Sequence, residues 1–179
     1  MKRRIAALAV LGLAGLGAAA WAAPTDPMLS AQFEDGKYLR AAEAAERLGS
    51  ADDLAFAARS LLALCMTGPS DIDADVLDRA YQNAAKAVSI DRGHVEGRLQ
   101  MAIAASLQTR SMTLMEANRS GLGNLGKLLV EGVLEDDPDN FYAHGFAAVW
   151  HVEARRRAGA FGAMVVGASL RDARIHYEA

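Results

Sequence analysis

The sequence predicts an all-α protein built from antiparallel helical hairpins, and three observations carry that prediction. Alanine is abundant and recurs at three- and four-residue spacing, while the 179 residues contain only four prolines. Short turns holding glycine or proline separate these periodic stretches at ordinary helix length. Finally, the chain repeats itself at a constant offset of 46 residues: Arg79-Ala80-Tyr81 through Ala84, Ala87, Asp91 and Arg92 is matched by Leu125-Gly126-Lys127 through Val130, Val133, Asp137 and Pro138. A third copy begins at Ala173 with Tyr177 and stops at Ala179. A hairpin repeated in this way cannot bury its apolar face alone, so neighbours stack into one core.

The elements come in order along the chain. Residues 23–36 are polar, contain Pro24 and Pro27, and read as a flexible lead-in. Lys37 to Leu48 alternates alanine with glutamate and arginine and is closed by Gly49, a helix with a glycine stop. Ser50 or Asp52 caps a second helix to about Met66, whose Leu54, Ala58, Leu61, Leu62 and Cys65 share one face. Thr67-Gly68-Pro69-Ser70 breaks it. The next helix spans Ala74 to Ile90, and a turn at Asp91-Arg92-Gly93 leads to one from His94 to about Arg110. Residues 111 to 120 carry no firm assignment, and Gly121, Gly123 and Gly126 weaken the start of a helix that ends at Asp136. Pro138 opens a long helix through Arg157. Gly159, Gly162 and Gly167 punctuate the segment after it, and a last helix begins near Ser169.

Small residues at the helix crossings (Ala80, Ala84, Ala102, Gly126, Ala148), with the Asp91-Arg92 and Asp137-Pro138 turns, resemble the tetratricopeptide-repeat (TPR) superfamily over residues 37–179. Pro138 matches that family's turn proline and Arg92 does not, and the repeat is about twelve residues longer than the usual 34. The frame is therefore similar to divergent long-helix repeats of periplasmic proteins, including some that accompany TRAP-type solute transporters, and to the regulator-of-microtubule-dynamics proteins. The resemblance implies a right-handed α-solenoid and a protein or peptide partner bound in a concave groove; as the sequence has no His-Glu-x-x-His, paired-cysteine or nucleophile-elbow pattern, no catalysis and no cofactor are expected. The third copy ends inside its own repeat, so either the sequence is a fragment or the last helix is expected to be covered by a second copy of the chain or by a partner.

The N-terminus predicts location. A basic head, Met1-Lys2-Arg3-Arg4, precedes an uncharged apolar run from Ile5 to Ala20 and the small-x-small site Ala20-Trp21-Ala22, so residues 1–22 read as a cleaved signal peptide for export to a bacterial periplasm. The run is shorter than the roughly 20 residues a spanning helix needs, and no transmembrane segment is expected in the mature chain. Without it, 16 basic side chains face 22 acidic ones, a net charge of −6, which speaks against nucleic acid as a partner. The single Cys65 sits in an apolar helix and reads as a buried hydrophobe.

The candidate binding residues lie late in the chain. Tyr142, Phe146 and Val149 on one helix, with Glu96, Leu99, Gln100 and Ile103 on an earlier one, would line a groove, unless the stripe is core. Trp150 precedes Arg155-Arg156-Arg157, either an anion or partner site or a solvated basic helix end. The uncharged run Ala158 to Ala168 would dock on a membrane or line an apolar pocket, and tight glycine packing is its simpler account. The partner site is thus placed at Tyr142, Phe146, Trp150, Arg155, Arg156 and Arg157, and a small-ligand or lipid site of an envelope transport system is the alternative.

Other chemistry is weakly signalled. His144 and His151 stand about 10 Å apart along a helix by its rise, too far to share a metal unaided, and His176 lies on a later helix. Gly121-Leu122-Gly123-Asn124-Leu125-Gly126-Lys127 has phosphate-loop spacing, but Leu128 replaces the magnesium-binding hydroxyl and no strand precedes it; a helix start with small packing residues accounts for it.

Overall fold

The computed structural model describes residues 23–68 and 73–179, and every described element is helical. The export-signal reading at 1–22, and Pro69 and Ser70 of the predicted break, lie outside the described residues.

The lead-in differs from expectation. Pro27–Glu34 forms a helix, α1, with Pro27 in its first turn and Asp26 as N-cap, its carboxylate accepting from Met28 N at 2.8 Å. Proline at the first helical position loses no hydrogen bond, so the residue read as a breaker is a helix start. Leu29 is buried, and the Phe33 ring packs on Phe56 and Tyr38, which ties the segment to the core. Thr25 is held as well: its N and Oγ1 both donate to the Asp53 carboxylate at 2.8 Å.

The helices after it keep closely to the predicted pattern. Helix α2 (Tyr38–Leu48) ends at Gly49, whose φ of 75° is the left-handed conformation of a glycine C-cap. Ser50, rather than Asp52, caps α3 (Ala51–Thr67), accepting from Asp53 N. Helix α4 (Ala74–Ile90) is capped by Asp73, and α5 (Val95–Gln108) by the His94 ring, which accepts from Gly97 N at 2.9 Å while its other nitrogen meets Asp52. After a single 3-10 turn, Thr109–Ser111, the unassigned stretch forms α6 (Leu114–Ser120), started by a reciprocal Thr113–Glu116 capping box. Helix α7 (Leu122–Asp136) begins at Gly121, whose φ of 70° turns the chain out of α6.

The long helix α8 (Phe141–Val165) starts later and ends later than Pro138 and Arg157 suggest. Asn140 is its cap, with Pro138 left in the turn, and a break at Gly159 (φ 69°, ψ −171°) bends it before it continues to Val165. Helix α9 (Leu170–Glu178), capped by Ser169, packs back on α8.

Successive helices pack on each other from α1 to α5, and α5 also contacts α3 and α7. One core gathers Leu29, Phe56, Leu61 and Leu77 with the alanines of α2 and α4; a second gathers Leu99, Val130, Val133 and Ala143, with Tyr142 and Phe146 against it. Polar ties lock neighbours together. The Arg79 guanidinium and Asn83 Nδ2 both donate to Glu46, joining α4 to α2, and Arg98 Nη2 bridges the Gly93 carbonyl and Asp136, joining α5 to α7. On α5 the core alternative holds rather than the groove: Glu96, Leu99 and Gln100 are only 1–2 % exposed, with Glu96 paired to Arg59 at 3.1 Å. Glu96 meets α3 through Arg59, and Leu99 packs with Val130 and Val133 of α7, since α5 lies among α3, α4 and α7.

Candidate functional site

Where the end of α5, α6, the start of α7 and α8 meet, they enclose a cleft of about 470 Å³. Its back wall is Phe146 and Trp150 of α8, its sides are Leu114 of α6 and Phe161 and Val165 beyond the break, and its lining is mainly apolar. The recess is neither sealed nor flat, and its volume lies within the range of small-molecule sites.

The sequence builds it by local backbone choices. At Gly159 the positive φ, strained for any side chain, bends α8 so that its last two turns return over the cleft. Gly162 then sits so close to Ala158 that a Cβ on it would lie 2.6 Å from the Ala158 methyl. Gly126 lets α7 approach α5 and α8, since a Cβ there would stand 3.1–3.3 Å from Ser106, Phe146 and the Ala102 carbonyl. Of the glycines at 121–127, Gly126 alone has the expected packing role, since a Cβ at Gly121 or Gly123 would meet nothing within 4 Å. Trp150 is fixed by its Nε1–H donating to the Gly123 carbonyl at 3.1 Å, and Lys127 Nζ lies 5.4 Å from the centre of its ring.

The predicted site residues separate into two groups. Phe146, Trp150 and Arg157 line the cleft. Tyr142 lies a turn away, half-buried against the second core, with Phe141 edge-on at 5.5 Å. The three arginines do not converge, because consecutive helix positions point about 100° apart. Arg156 is exposed and turned onto Glu153 of its own helix at 2.7 Å, and those hydrogen bonds hold the Glu153 carboxyl below its usual range against the effect of burial. Arg157 instead reaches across the cleft wall, donating from Nη1 to Thr109 Oγ1 at 3.2 Å and from Nη2 to the Met112 carbonyl at 2.8 Å. Arg155 is half-buried and does not line the cleft.

Two further contributors were not singled out in the sequence. Arg110 and Glu153 also line the cleft, so with Arg157 its polar lining carries both signs with cations in excess. The run Ala158–Ala168 is the larger surprise: tight packing was its simpler account, yet Phe161 is 75 % and Val165 68 % exposed. Glycine here makes a bend that carries apolar side chains out to the cleft rim, and only Ala163 and Ala168 are buried. The signal available was the alternation of glycine with large apolar residues directly behind the arginines.

The histidines also meet in space. His176 lies between the two on α8, its Nδ1 2.9 Å from that of His144 and its ring stacked on His151 at 5.7 Å. Among the described residues, no group of three or more His, Cys, Asp or Glu side chains is arranged to hold a metal, and no helix is long and apolar enough to cross a membrane. Cys65 is buried, and burial pushes its thiol pKa up, as does Asp73. No family model, curated protein or solved structure matches the chain.

Proposed function

We propose that this chain is a non-catalytic binding protein of the cell envelope, a right-handed TPR-like solenoid of hairpins α3–α4, α5–α7 and α8–α9 whose cleft beside Trp150 takes a small apolar ligand. The cleft itself carries the proposal. Exposed Phe161 and Val165 around a recess of about 470 Å³ leave apolar surface wet that a ligand would cover. The apolar back wall supplies affinity, and Arg110 and Arg157 at the polar edge orient a ligand that carries an acidic group. Such a protein would serve an envelope transport system as its solute- or lipid-holding part, exported through residues 1–22.

The same rim supports a second reading, a protein-interaction adaptor. Phe161, Met164 and Val165 protrude together and would grip a partner segment, with Phe146 and Trp150 receiving its apolar side chain and Arg155 and Arg156 outside the cleft attracting acidic residues.

Fluorescence of N-phenyl-1-naphthylamine, a neutral apolar dye, separates the two. Ala154 lines the cleft, so Ala154→Phe fills it. The dye should bind the unsubstituted chain and lose at least about ten-fold in affinity, about 1.4 kcal/mol, on the filled variant, with the helical circular dichroism unchanged. Equal binding by both chains would rule the cleft out. Absence of dye binding, with capture of a defined envelope protein that is lost on Arg155→Glu/Arg156→Glu, would establish the adaptor.

A further inference from the structure

Three of the chain's four histidines meet at the α8–α9 contact, and the hydrogen-bond partners there fix where each proton must be. His144 Nε2 lies 2.8 Å from the Pro138 carbonyl oxygen, which only accepts, so that nitrogen carries a hydrogen. Neutral His144 therefore has a bare Nδ1, and the 2.9 Å contact requires His176 Nδ1–H to donate to it. At the other end of α9, the backbone N–H of Ser169 donates to His151 Nδ1 at 3.3 Å, so that nitrogen is bare as well. Each end of α9 is thus held by the lone pair of a histidine on α8.

We propose that α9 is an acid-released arm: protonation of His151 Nδ1 and His144 Nδ1 turns both acceptors into donors facing donors, and the helix leaves α8. The rest of the contact is weak enough for this to matter. Within α9 only Ala173 is buried, whereas Leu170, Ile175 and Tyr177 are more than half exposed, and α9 packs chiefly on α8. A first proton on the pair can sit on His176 Nε2 and keep the Nδ1–H···Nδ1 bond. A second must occupy His144 Nδ1, which breaks that bond and sets two imidazolium rings 5.1 Å apart.

The surroundings favour neutral His151 and His176 rings while α9 is docked. Burial lowers the pKa of His176, with His144 adding to the effect and Asp172 and Glu131 opposing it. Burial also lowers that of His151, where Asp172 opposes, His176 and Lys127 add, and Glu131 opposes. Asp172 on α9 is already occupied by its own cap, accepting from Ser169 Oγ at 2.7 Å, and Glu131 of α7 lies within reach of Lys127 at 3.5 Å. Both acids are thus partly taken up elsewhere when the rings charge. Because the docked pKa values lie below the ordinary 6.5, the released arm binds more protons, so docking is complete well above pH 6.5 and is lost as pH falls below it. Each proton taken up on release steepens the opening equilibrium by about ten-fold per pH unit.

The test uses the full chain at about pH 7.5 and about pH 5. Long-range proton–nitrogen spectra at the higher pH should show Nε2–H tautomers for His144 and His151 and an Nδ1–H tautomer for His176. Amide exchange across 170–178, corrected for the intrinsic effect of pH, should lose at least about ten-fold in protection at the lower pH, while α3 and α5 keep theirs. His144→Gln with His151→Asn, which accept without titrating, should hold α9 at both pH values. Protection unchanged by acid, an Nδ1–H tautomer at His151, or undiminished acid release in the double variant would each overturn the proposal. Should the double variant fail to dock α9 even at the higher pH, the tautomers of the unsubstituted chain decide.

Discussion

Glu96 shows how a single residue's reading depends on what stands beside it. Its helical spacing with Leu99, Gln100 and Ile103 suited a groove face, yet it is buried against Arg59, whose guanidinium also lies 4.8 Å from the centre of the Phe56 ring and 5.5 Å from that of Phe33. Burial lowers the Arg59 pKa while the Glu96 charge pulls it back up, so each charge makes the other tolerable in the core. Removing one partner leaves the other charge buried without its counter-ion at 3.1 Å: Glu96→Leu should cost about 3–5 kcal/mol in urea unfolding, and Arg59→Met/Glu96→Leu together should recover most of that loss. Unfolding midpoints that match for the single variant and the parent would show the pair to be dispensable. Asp53 is a comparable case at the start of α3. Burial raises its pKa, but hydrogen bonds from Ser50 and Thr25 outweigh that and keep the carboxyl below its usual value. Neither partnership can be read from spacing, because Arg59 and Glu96, like Thr25 and Asp53, meet only through tertiary contact.

For the helices, glycines divide by what surrounds them. Gly145 lies inside α8, and a methyl added to it would meet nothing within 4 Å, so it contributes only backbone freedom. Gly145→Ala should stabilise the protein by about 0.5–1 kcal/mol. Gly126 is also helical, but a methyl there would crowd Ser106, Phe146 and the Ala102 carbonyl, so Gly126→Ala should destabilise by about 1–3 kcal/mol and displace the Phe146 wall of the cleft. Thermal unfolding of the two variants should therefore shift in opposite directions, and shifts of one sign would refute the close-approach account of Gly126. Helix boundaries were legible wherever a cap chemistry was local: Gly49, Ser50, Asp73 and Ser169 all stand where the chain turns. Pro27 and Pro138 misled in opposite ways, one sitting inside a helix start and the other left outside, because Asp26 and Asn140 supply the caps.

Across the whole molecule, acid should act in two stages. Glu46 is pushed up by burial, yet the hydrogen bonds from Arg79 and Asn83 prevail and its pKa lies below 4.5; that of Asp53 lies below 3.8. Both therefore contribute stability that is present above those ordinary values and lost as pH falls through the lower folded ones. The histidines at α9 act from 6.5 downward. On acidification the exchange protection of α9 should thus fall first, with helical circular dichroism of the whole chain collapsing only below about pH 4.5. A single coincident transition by both probes would show that α9 is not an independent unit.

The sequence by itself determined that the described chain is helical, where most of its helices start and stop, and which small residues sit at helix crossings. Those properties arise from short-range rules: apolar period, capping side chains, and glycine at positive φ. Only the tertiary structure decided which apolar residues are core and which are wet. Leu99 and Phe161 belong to equally apolar stretches, yet one is buried against Val130 and Val133 of α7 and the other is carried into solvent by the bend at Gly159. It also decided that Trp150, Arg157 and Phe161 share one cleft and that His144, His151 and His176 share one contact. Side chains 32 residues apart meet only once the helices between them are packed, and that packing depends on the shapes of all their faces at once.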